Sequence, residues 1–241
     1  MRIIVVDNYE EMSKRAALMV ASQVTLKPDS VLGLATGDTP SGMYKELISL
    51  YNKKEVDFKE VRTFNLDEYY GLNPENSQSY YKYMMNNLFN SINISKENIN
   101  MPDGMTKDVN DFCLLYEKKI KTFGGIDMQV LGIGGNGHIG FNEPNVNFEA
   151  ATHLVNLDEQ TIEANSRFFK SVEDVPVQAI SMGIKTIMNS KKIILLANGL
   201  NKAEAIEKAV RGKINPSIPA SILQLHNDVT IIIDKEAASL L

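Results

Sequence analysis

Residues 126–144 read IDMQVLGIGGNGHIGFNEP, and this stretch governs the interpretation of the whole chain. It opens on a short apolar run, which is typical of a strand buried in a parallel sheet. The glycines that follow permit backbone conformations closed to other residues and let a ligand approach the main chain closely. Because ligands bind at the carboxyl ends of parallel strands, His138 and Glu143 are predicted to lie over the floor of a pocket. The alternative is a glycine-rich turn with a surface histidine.

The same stretch contains a dinucleotide-binding pattern that the surrounding sequence does not support. Gly132, Gly134 and Gly137 match G-x-G-x-x-G, and Asp158 lies about 20 residues further on. That fingerprint has to open a helix, whereas the residues after His138 include a proline and several asparagines and show no helical apolar spacing. A dinucleotide is therefore not expected, and we predict no cofactor.

Composition favours one ordinary globular domain over the whole chain, residues 1–241. The net charge is -5, so neither nucleic acid nor an anionic membrane surface is an expected partner. Cys113 is the single cysteine and falls in an amphipathic helical pattern, which predicts an inert core thiol and excludes an internal disulfide. The apolar run at the amino terminus is too short for a signal peptide and no stretch has the length of a membrane span, so we expect a cytoplasmic protein.

Strand-like and helix-like segments alternate along the chain. Strands are predicted at 3–6, 31–35, 61–66, 126–131, 153–157, 192–197 and 229–234. Helices are predicted from a cap at Asn8 to about residue 24, at 39–51, 77–89, 108–123, 158–169, 180–188, after 199, and at 219–226. This alternation, with short connections, predicts a doubly wound, mainly parallel sheet in a three-layer α/β sandwich.

The loop after the second predicted strand has the features of an anion site. Free backbone N–H groups at a helix start, surrounded by small hydroxyl residues, favour a bound phosphate. The candidate phosphate-binding residues are Thr36, Gly37, Asp38, Thr39, Ser41 and Gly42. Thr39 is a candidate helix cap, and Asp38 is expected to turn toward solvent or bond its own backbone, since a carboxylate repels phosphate. An ordinary capped turn is the alternative.

Three further charged residues are candidates for the same site. Asp67 follows the third predicted strand, where a carboxylate can act as a proton-transfer base, although it could instead cap the next turn. Arg167 lies among aromatic residues and is a candidate clamp for an anion; the alternative is a side chain that only extends over apolar surface. Lys202 is near a predicted helix start, where a bound anion would offset its unfavourable interaction with the helix dipole.

Four motifs together resemble the glucosamine-6-phosphate deaminase family over nearly the whole chain. They are LGLATG at 32–37 followed by Thr39 and Pro40, FNLDEY at 64–69, residues 134–144, and ANSRFF at 164–169. The resemblance implies the Rossmann-like fold shared with ribose-5-phosphate isomerase and coenzyme A transferases. It also implies conversion of glucosamine 6-phosphate and water to fructose 6-phosphate and ammonia.

The resemblance also implies roles for particular residues. His138 would open the sugar ring, with Glu143 and Asn136 orienting it. Asn136 departs from the aspartate of some family members. Asp67 would move a proton from C2 to C1 of the open-chain sugar. The loop at 36–42, with Arg167 and Lys202, would hold the phosphate. No metal is implied, and the three histidines have no metal-ligand spacing.

The sequence leaves two alternatives, a related enzyme and a regulator from a different class of protein. A 6-phosphogluconolactonase shares the fold and the glycine-histidine loop but hydrolyses a lactone, and residues 67–69 and 141–144 fit the deaminase better. A sugar-phosphate-responsive regulator would have kept the pocket and lost catalysis, which the presence of Asp67, His138 and Glu143 argues against.

The family's hexameric, effector-activated members differ from this chain at several positions. Where those members place hydroxyl and basic residues, this chain has Val146, Asn147, His153 and Val155, and it ends soon after the last predicted strand. An effector phosphate would therefore lack its strongest partners. We expect a monomer or small homo-oligomer without activation by N-acetylglucosamine 6-phosphate, and a lid at about residues 157–180.

Overall fold

Strands and helices alternate along most of the chain in the computed structural model, which describes residues 1–145 and 147–241. The strands are β1 Arg2–Val6, β2 Val31–Leu34, β3 Arg62–Asn65, β4 Asp67–Tyr69, β5 Ile99–Asn100, β6 Met128–Leu131, β7 His153–Asn156, β8 Gln178–Ser181, β9 Lys192–Ala197 and β10 Val229–Asp234. The α-helices are α1 Tyr9–Leu26, α2 Asp38–Asn52, α3 Tyr80–Asn87, α4 Val109–Thr122, α5 Glu159–Ser166, α6 Ile184–Met188 and α7 Ala203–Arg211. Short 3-10 helices cover Phe89–Ser91, Lys96–Asn98, Val172–Asp174, Leu200–Lys202 and Pro219–Leu225.

The central sheet has the order β1-β10-β9-β6-β2-β3-β5 within the described residues. Its strand pairs are all parallel. The chain winds from β2 toward β3 in one direction, and β6 lies on the other side of β2. The boundary between β2 and β6 is therefore a topological switch point, where open parallel sheets place their ligands.

Helices cover both faces of this sheet, as the predicted three-layer sandwich requires. In β9, Ile194 and Leu196 belong to the core under α1, α2 and α3. Ile193 and Leu195 belong to the core under α4, α6 and α7. Burial on both faces explains why the central strands are continuous apolar runs rather than alternating ones. The doubly wound α/β fold predicted from the sequence is confirmed.

A second, three-stranded antiparallel sheet, β4-β8-β7, was not predicted. The strand expected at 61–66 ends at Asn65, and the chain passes through Leu66 into β4, so that Asp67 begins a strand of the other sheet. The helix expected at 180–188 is wrong in its first part. Residues 178–181 form β8, which pairs with β4 and β7, and α6 begins only at Ile184.

Smaller differences lie at helix ends and at the sheet edge. Gly37, not Thr39, is the N-cap of α2, and it makes no side-chain hydrogen bond there. The helix expected at 219–226 is a 3-10 helix. The two-residue strand β5 was not predicted because so short a segment has no measurable periodicity. Val146, one of the positions compared with the activated family members, lies outside the described residues.

Candidate active site

The loops that follow β2, β3, β6 and β9 meet at one end of the central sheet. The Thr39 hydroxyl, after β2, donates to Oδ1 of Asn198, after β9, at 3.1 Å. Gly140, in the loop after β6, has a positive φ of 58°, and a Cβ added there would lie 3.6 Å from Asp67 Oδ2. Residues widely separated in sequence are thus brought together at the switch point between β2 and β6.

His138 and Glu143 form a hydrogen-bonded pair in the loop after β6. His138 Nδ1 lies 3.2 Å from Glu143 Oε2. The Asn136 side chain donates to the same carboxylate oxygen at 2.9 Å, and its own oxygen accepts the His138 backbone N–H at 3.2 Å. A carboxylate on Nδ1 favours the tautomer with its proton there, which leaves Nε2 available as an acceptor. The predicted grouping of these three residues is present.

The charge of Glu143 is maintained by its surroundings. Burial acts to raise the pKa of Glu143, but the hydrogen bond and charge of His138 lower it, and Thr161 and Asn136 lower it further. The net result is a pKa below the ordinary value. Glu143 is therefore a carboxylate at neutral pH and can orient the imidazole and stabilise its protonated form.

Glycine is required where the loop folds back on the histidine. A Cβ at Gly134 would lie 2.3 Å from the imidazole Cε1 of His138, which is closer than real contacts allow. The Gly134 N–H also donates to the His138 carbonyl at 2.9 Å, and this bond closes the loop. The glycine-rich motif therefore serves close packing around the histidine and not the opening of a helix.

Asp67 is a buried carboxyl group at the start of β4. Burial, and then the neighbouring charge of Glu68, raise the pKa of Asp67 to about 8. Glu68 is fixed beside it because its carboxylate accepts the backbone N–H groups of Tyr69, Tyr80 and Tyr81 at 2.8 to 2.9 Å. A carboxyl group with such a pKa is a much stronger base once ionised than an exposed aspartate.

The predicted phosphate loop is only partly free to bind a ligand. The Thr39 hydroxyl is bonded to Asn198, and the Ser41 hydroxyl donates to the Asp38 carbonyl at 2.7 Å. The Gly42 N–H donates to the Tyr9 hydroxyl at 2.7 Å. A Cβ at Gly42 would lie 2.2 Å from Ser13 Oγ, so this glycine allows α1 and α2 to pack closely.

The remaining groups of that loop surround the first turn of α2. Gly37 has a φ of 100°, which turns the chain from β2 into the helix. Helix geometry leaves the N–H groups of Gly37, Asp38 and Thr39 without intrahelical partners. Thr36 lies against the Tyr80 side chain, which contacts Tyr69 as well. An anion at this end of α2 would accept from these amides.

Arg167 and Lys202 reach this end of α2 from different segments. Arg167 follows α5 and lies over the ring of Phe168 at 4.6 Å. Lys202 is the N-cap of α7. Burial and then the positive charge of Arg167 lower the pKa of Lys202, so the two cations are near neighbours. The anion-binding role of both residues stays a prediction.

The expectation for Asp38 was incomplete. Its side chain is 67% exposed, as expected, but its carboxylate is paired with Arg167 Nη2 at 2.7 Å and not with its own backbone. The two residues are 129 positions apart in sequence. No local pattern could have indicated this contact.

Other positioning residues were also missed. Tyr9 contacts the first turn of α2 through its hydroxyl. Ser181 accepts the Phe141 N–H at 2.9 Å and so fixes the loop after β6. Thr161 lies 3.5 Å from His138 Nδ1. Among the missed residues, only Asn198 could have been identified from the sequence, because it is a polar residue directly after a predicted strand.

Among residues 1–145 and 147–241, no three His, Cys, Asp or Glu side chains are grouped so that they could hold a metal ion. In the same part of the chain, none of the helices combines the length and the apolar character needed to span a membrane.

Comparisons with known proteins agree on one family. Residues 7–232 match the family model described as glucosamine-6-phosphate isomerases/6-phosphogluconolactonase. A glucosamine-6-phosphate deaminase of Clostridium botulinum is 71% identical over 239 residues, which cover 99% of this chain and 98% of that protein. A solved structure described as a monomeric glucosamine-6-phosphate deaminase is 46% identical, with a TM-score of 0.98 and full coverage of both chains. The 6-phosphogluconolactonase of Trypanosoma cruzi is 21% identical over 100% of this chain and 96% of its own, with a TM-score of 0.77, so it shares the fold.

Proposed function

The chain belongs to the family of glucosamine-6-phosphate isomerases and 6-phosphogluconolactonases, and we propose that it converts glucosamine 6-phosphate and water to fructose 6-phosphate and ammonia. The observation that carries this proposal is the placement of a high-pKa carboxyl group, Asp67, close to the loop that holds the His138–Glu143 pair. An isomerising deaminase needs both a ring-opening group and a base. The high identity to a named deaminase supports the same function.

The first step is ring opening at His138. The imidazole takes the proton of the anomeric hydroxyl through Nε2 and delivers it to the ring oxygen, which breaks the C1–O5 bond. Glu143 stabilises the imidazolium that forms in between, and Asn136 holds Glu143 in place. With Asn136 in place of an aspartate, the histidine has one negative neighbour fewer.

The second step is proton transfer by Asp67. The ionised carboxylate removes the proton from C2 of the open-chain aldehyde, giving an enolamine, and returns a proton to C1. The product is an imine at C2. Water adds to that imine and ammonia leaves, so that the ketose is formed. These steps use only proton transfer and water, and no cofactor enters them.

The phosphate binds at the first turn of α2, where the free amides meet Arg167 and Lys202. Charge-assisted contacts of this kind are among the strongest hydrogen bonds in proteins. Arg167 lies in the segment between β7 and β8, which acts as a lid over the bound sugar. Binding energy gained at the phosphate is then used to hold C1 and C2 against the catalytic groups.

We infer that the protein acts as a monomer or a small homo-oligomer. The solved structure described as monomeric, with which the chain aligns from end to end, supports this inference.

A substrate comparison tests the proposed reaction. EDTA-treated protein is given glucosamine 6-phosphate or 6-phosphogluconolactone, and ammonia, ketose phosphate and acid release are measured. The expected result is equal amounts of ammonia and fructose 6-phosphate, with lactone hydrolysis no faster than its spontaneous rate. Lactone hydrolysis alone would identify a lactonase. Binding of the sugar phosphate without turnover would identify a regulator.

A further inference from the structure

The Asp38–Arg167 ion pair joins two segments that the proposed reaction treats separately. Asp38 is the first residue of α2 and therefore part of the anion site. Arg167 caps the carboxyl end of α5, inside the proposed lid. Their 2.7 Å contact connects the lid to the anion site.

The pair leaves the positive charge of the site only partly compensated. Lys202 has no carboxylate within ion-pair distance among the described residues, and Arg167 is its repulsive neighbour. Asp38 therefore neutralises Arg167 but not Lys202. A phosphate group, with several anionic oxygens, can accept from both cations and from the α2 amides.

The Asp38–Arg167 ion pair is weak enough for Arg167 to change to another anionic partner. Both side chains are mostly exposed, 65% for Arg167 and 67% for Asp38, and ion pairs in such surroundings contribute little to stability. The Asp38 carboxylate, however, stays on the first turn of α2 whether or not it holds Arg167. Its charge opposes an incoming phosphate at short range.

We propose that Asp38 is an internal competitor in the phosphate site: its carboxylate pairs with Arg167 and opposes any anion that binds there, a role that rests on the proposed function. Inorganic phosphate and a phosphorylated sugar both have to displace this carboxylate from Arg167. Asp38 therefore lowers the affinity of the site for either ligand.

Asp38→Asn tests this role because it removes the charge and keeps the shape. The affinity for inorganic phosphate, measured by calorimetry at low ionic strength, should rise about three- to tenfold, as expected for one like charge removed at contact distance. The gain should be smaller at high salt, which screens exposed charges. The gain in affinity should also be smaller in an Arg167→Ala background. Without Arg167 there is no competition for the arginine, and Asp38→Asn removes only the repulsion between Asp38 and phosphate.

Asp29→Asn is the matched control. Asp29 precedes β2 while Asp38 follows it, so the two carboxylates lie at opposite ends of one strand, and Asp29 is paired with Lys27 at 4.0 Å with a side-chain exposure of 60%. This variant should bind phosphate as the unmodified protein does. Unchanged or weaker phosphate binding by Asp38→Asn would overturn the proposal, and so would an equal gain in both variants.

The result is independent of whether the proposed reaction is correct. Phosphate binding is measured without turnover, so a tighter Asp38→Asn variant supports competition by Asp38 even if the protein releases no ammonia. If ammonia is released but phosphate affinity does not rise, the reaction stands and the role of Asp38 is wrong. A lower melting temperature with unchanged affinity would show that Asp38 serves only the helix dipole.

Discussion

At the scale of single residues, the buried Asp67 carboxyl group lowers the free energy of unfolding when it ionises. Its pKa of about 8 lies far above the ordinary 3.8, so the folded protein holds the proton that the unfolded chain releases. The stabilising effect of that proton is complete below pH 4 and is lost as the pH rises through 8. For a fully buried group, the resulting loss in the free energy of unfolding between pH 4 and pH 8 is on the order of 5 kcal/mol.

Asp67→Asn should therefore gain stability relative to the unmodified protein as the pH rises. Asparagine cannot ionise, so it does not incur the cost of a buried charge. Melting temperatures at pH 5 and pH 9 test this, and the variant's advantage should be larger at pH 9. A difference between the two proteins that does not depend on pH would show that Asp67 is not buried as described.

Glu143 should affect catalysis far more than stability. Glu143→Gln keeps the size of the side chain but removes the charge that faces His138 at 3.2 Å. The value of kcat/KM for glucosamine 6-phosphate should fall about 10²-fold, at the lower end for loss of an acid–base contribution. Glu149→Gln, at an exposed position shortly after it, should have little effect. Similar losses in both variants would point to loop disruption.

The sequence predicted these site residues because their signals are local. Asp67 directly follows one predicted strand and His138 lies in the loop after another, and the carboxyl end of a strand is where catalytic groups collect. The contact of Asp38 with Arg167 spans 129 residues and depends on the folded chain. The same reason explains why the roles of Tyr9 and Thr161 could not be predicted.

At the scale of secondary structure, α1 supports the anion site through one hydroxyl group. Tyr9 is the first residue of α1, and its hydroxyl donates to the Asp38 carbonyl at 2.9 Å and accepts the Gly42 N–H at 2.7 Å. These hydrogen bonds fix the first turn of α2, where the phosphate is proposed to bind.

Tyr9→Phe should loosen that turn without disturbing the core. We expect a loss of roughly 1 to 3 kcal/mol in the free energy of unfolding, as for two hydrogen bonds, and a several-fold rise in KM for the phosphorylated sugar. Tyr51→Phe is the control, because Tyr51 is near the other end of α2 and packs on Phe58. An unchanged KM in Tyr9→Phe would show that the α2 turn is rigid without the tyrosine.

The elements that could be predicted are those with long apolar runs. β9 and β10 are six-residue strands buried on both faces and were assigned at their observed bounds. β4 has only three residues, two of them acidic, and it is a strand because it pairs with β8. Such pairing is a tertiary effect that overrides local preference.

At the scale of the whole molecule, a cleft beside the active-site loop bears on regulation. It has a volume of about 310 Å³ and is lined by Glu143, Glu149, Asp158, Asn147 and His153, among others. No lysine or arginine is among its described lining residues. Three carboxylates without a cation disfavour a phosphorylated effector.

We therefore predict hyperbolic kinetics with glucosamine 6-phosphate and no change on adding N-acetylglucosamine 6-phosphate. Initial rates over a range of substrate concentrations, with and without that compound, provide the measurement, and light scattering gives the mass in solution. A sigmoidal curve that becomes hyperbolic with the effector, in a protein of hexameric mass, would refute this expectation.

The central claim is that Asp67 moves the proton between C2 and C1. Its most direct test compares the rate of ammonia release from glucosamine 6-phosphate by the unmodified protein and by Asp67→Asn, after calorimetry has shown that both bind the sugar phosphate. The predicted result is a loss of about 10² to 10⁴ in rate with binding retained. Equal rates in the two proteins would contradict the assignment of Asp67 as the base.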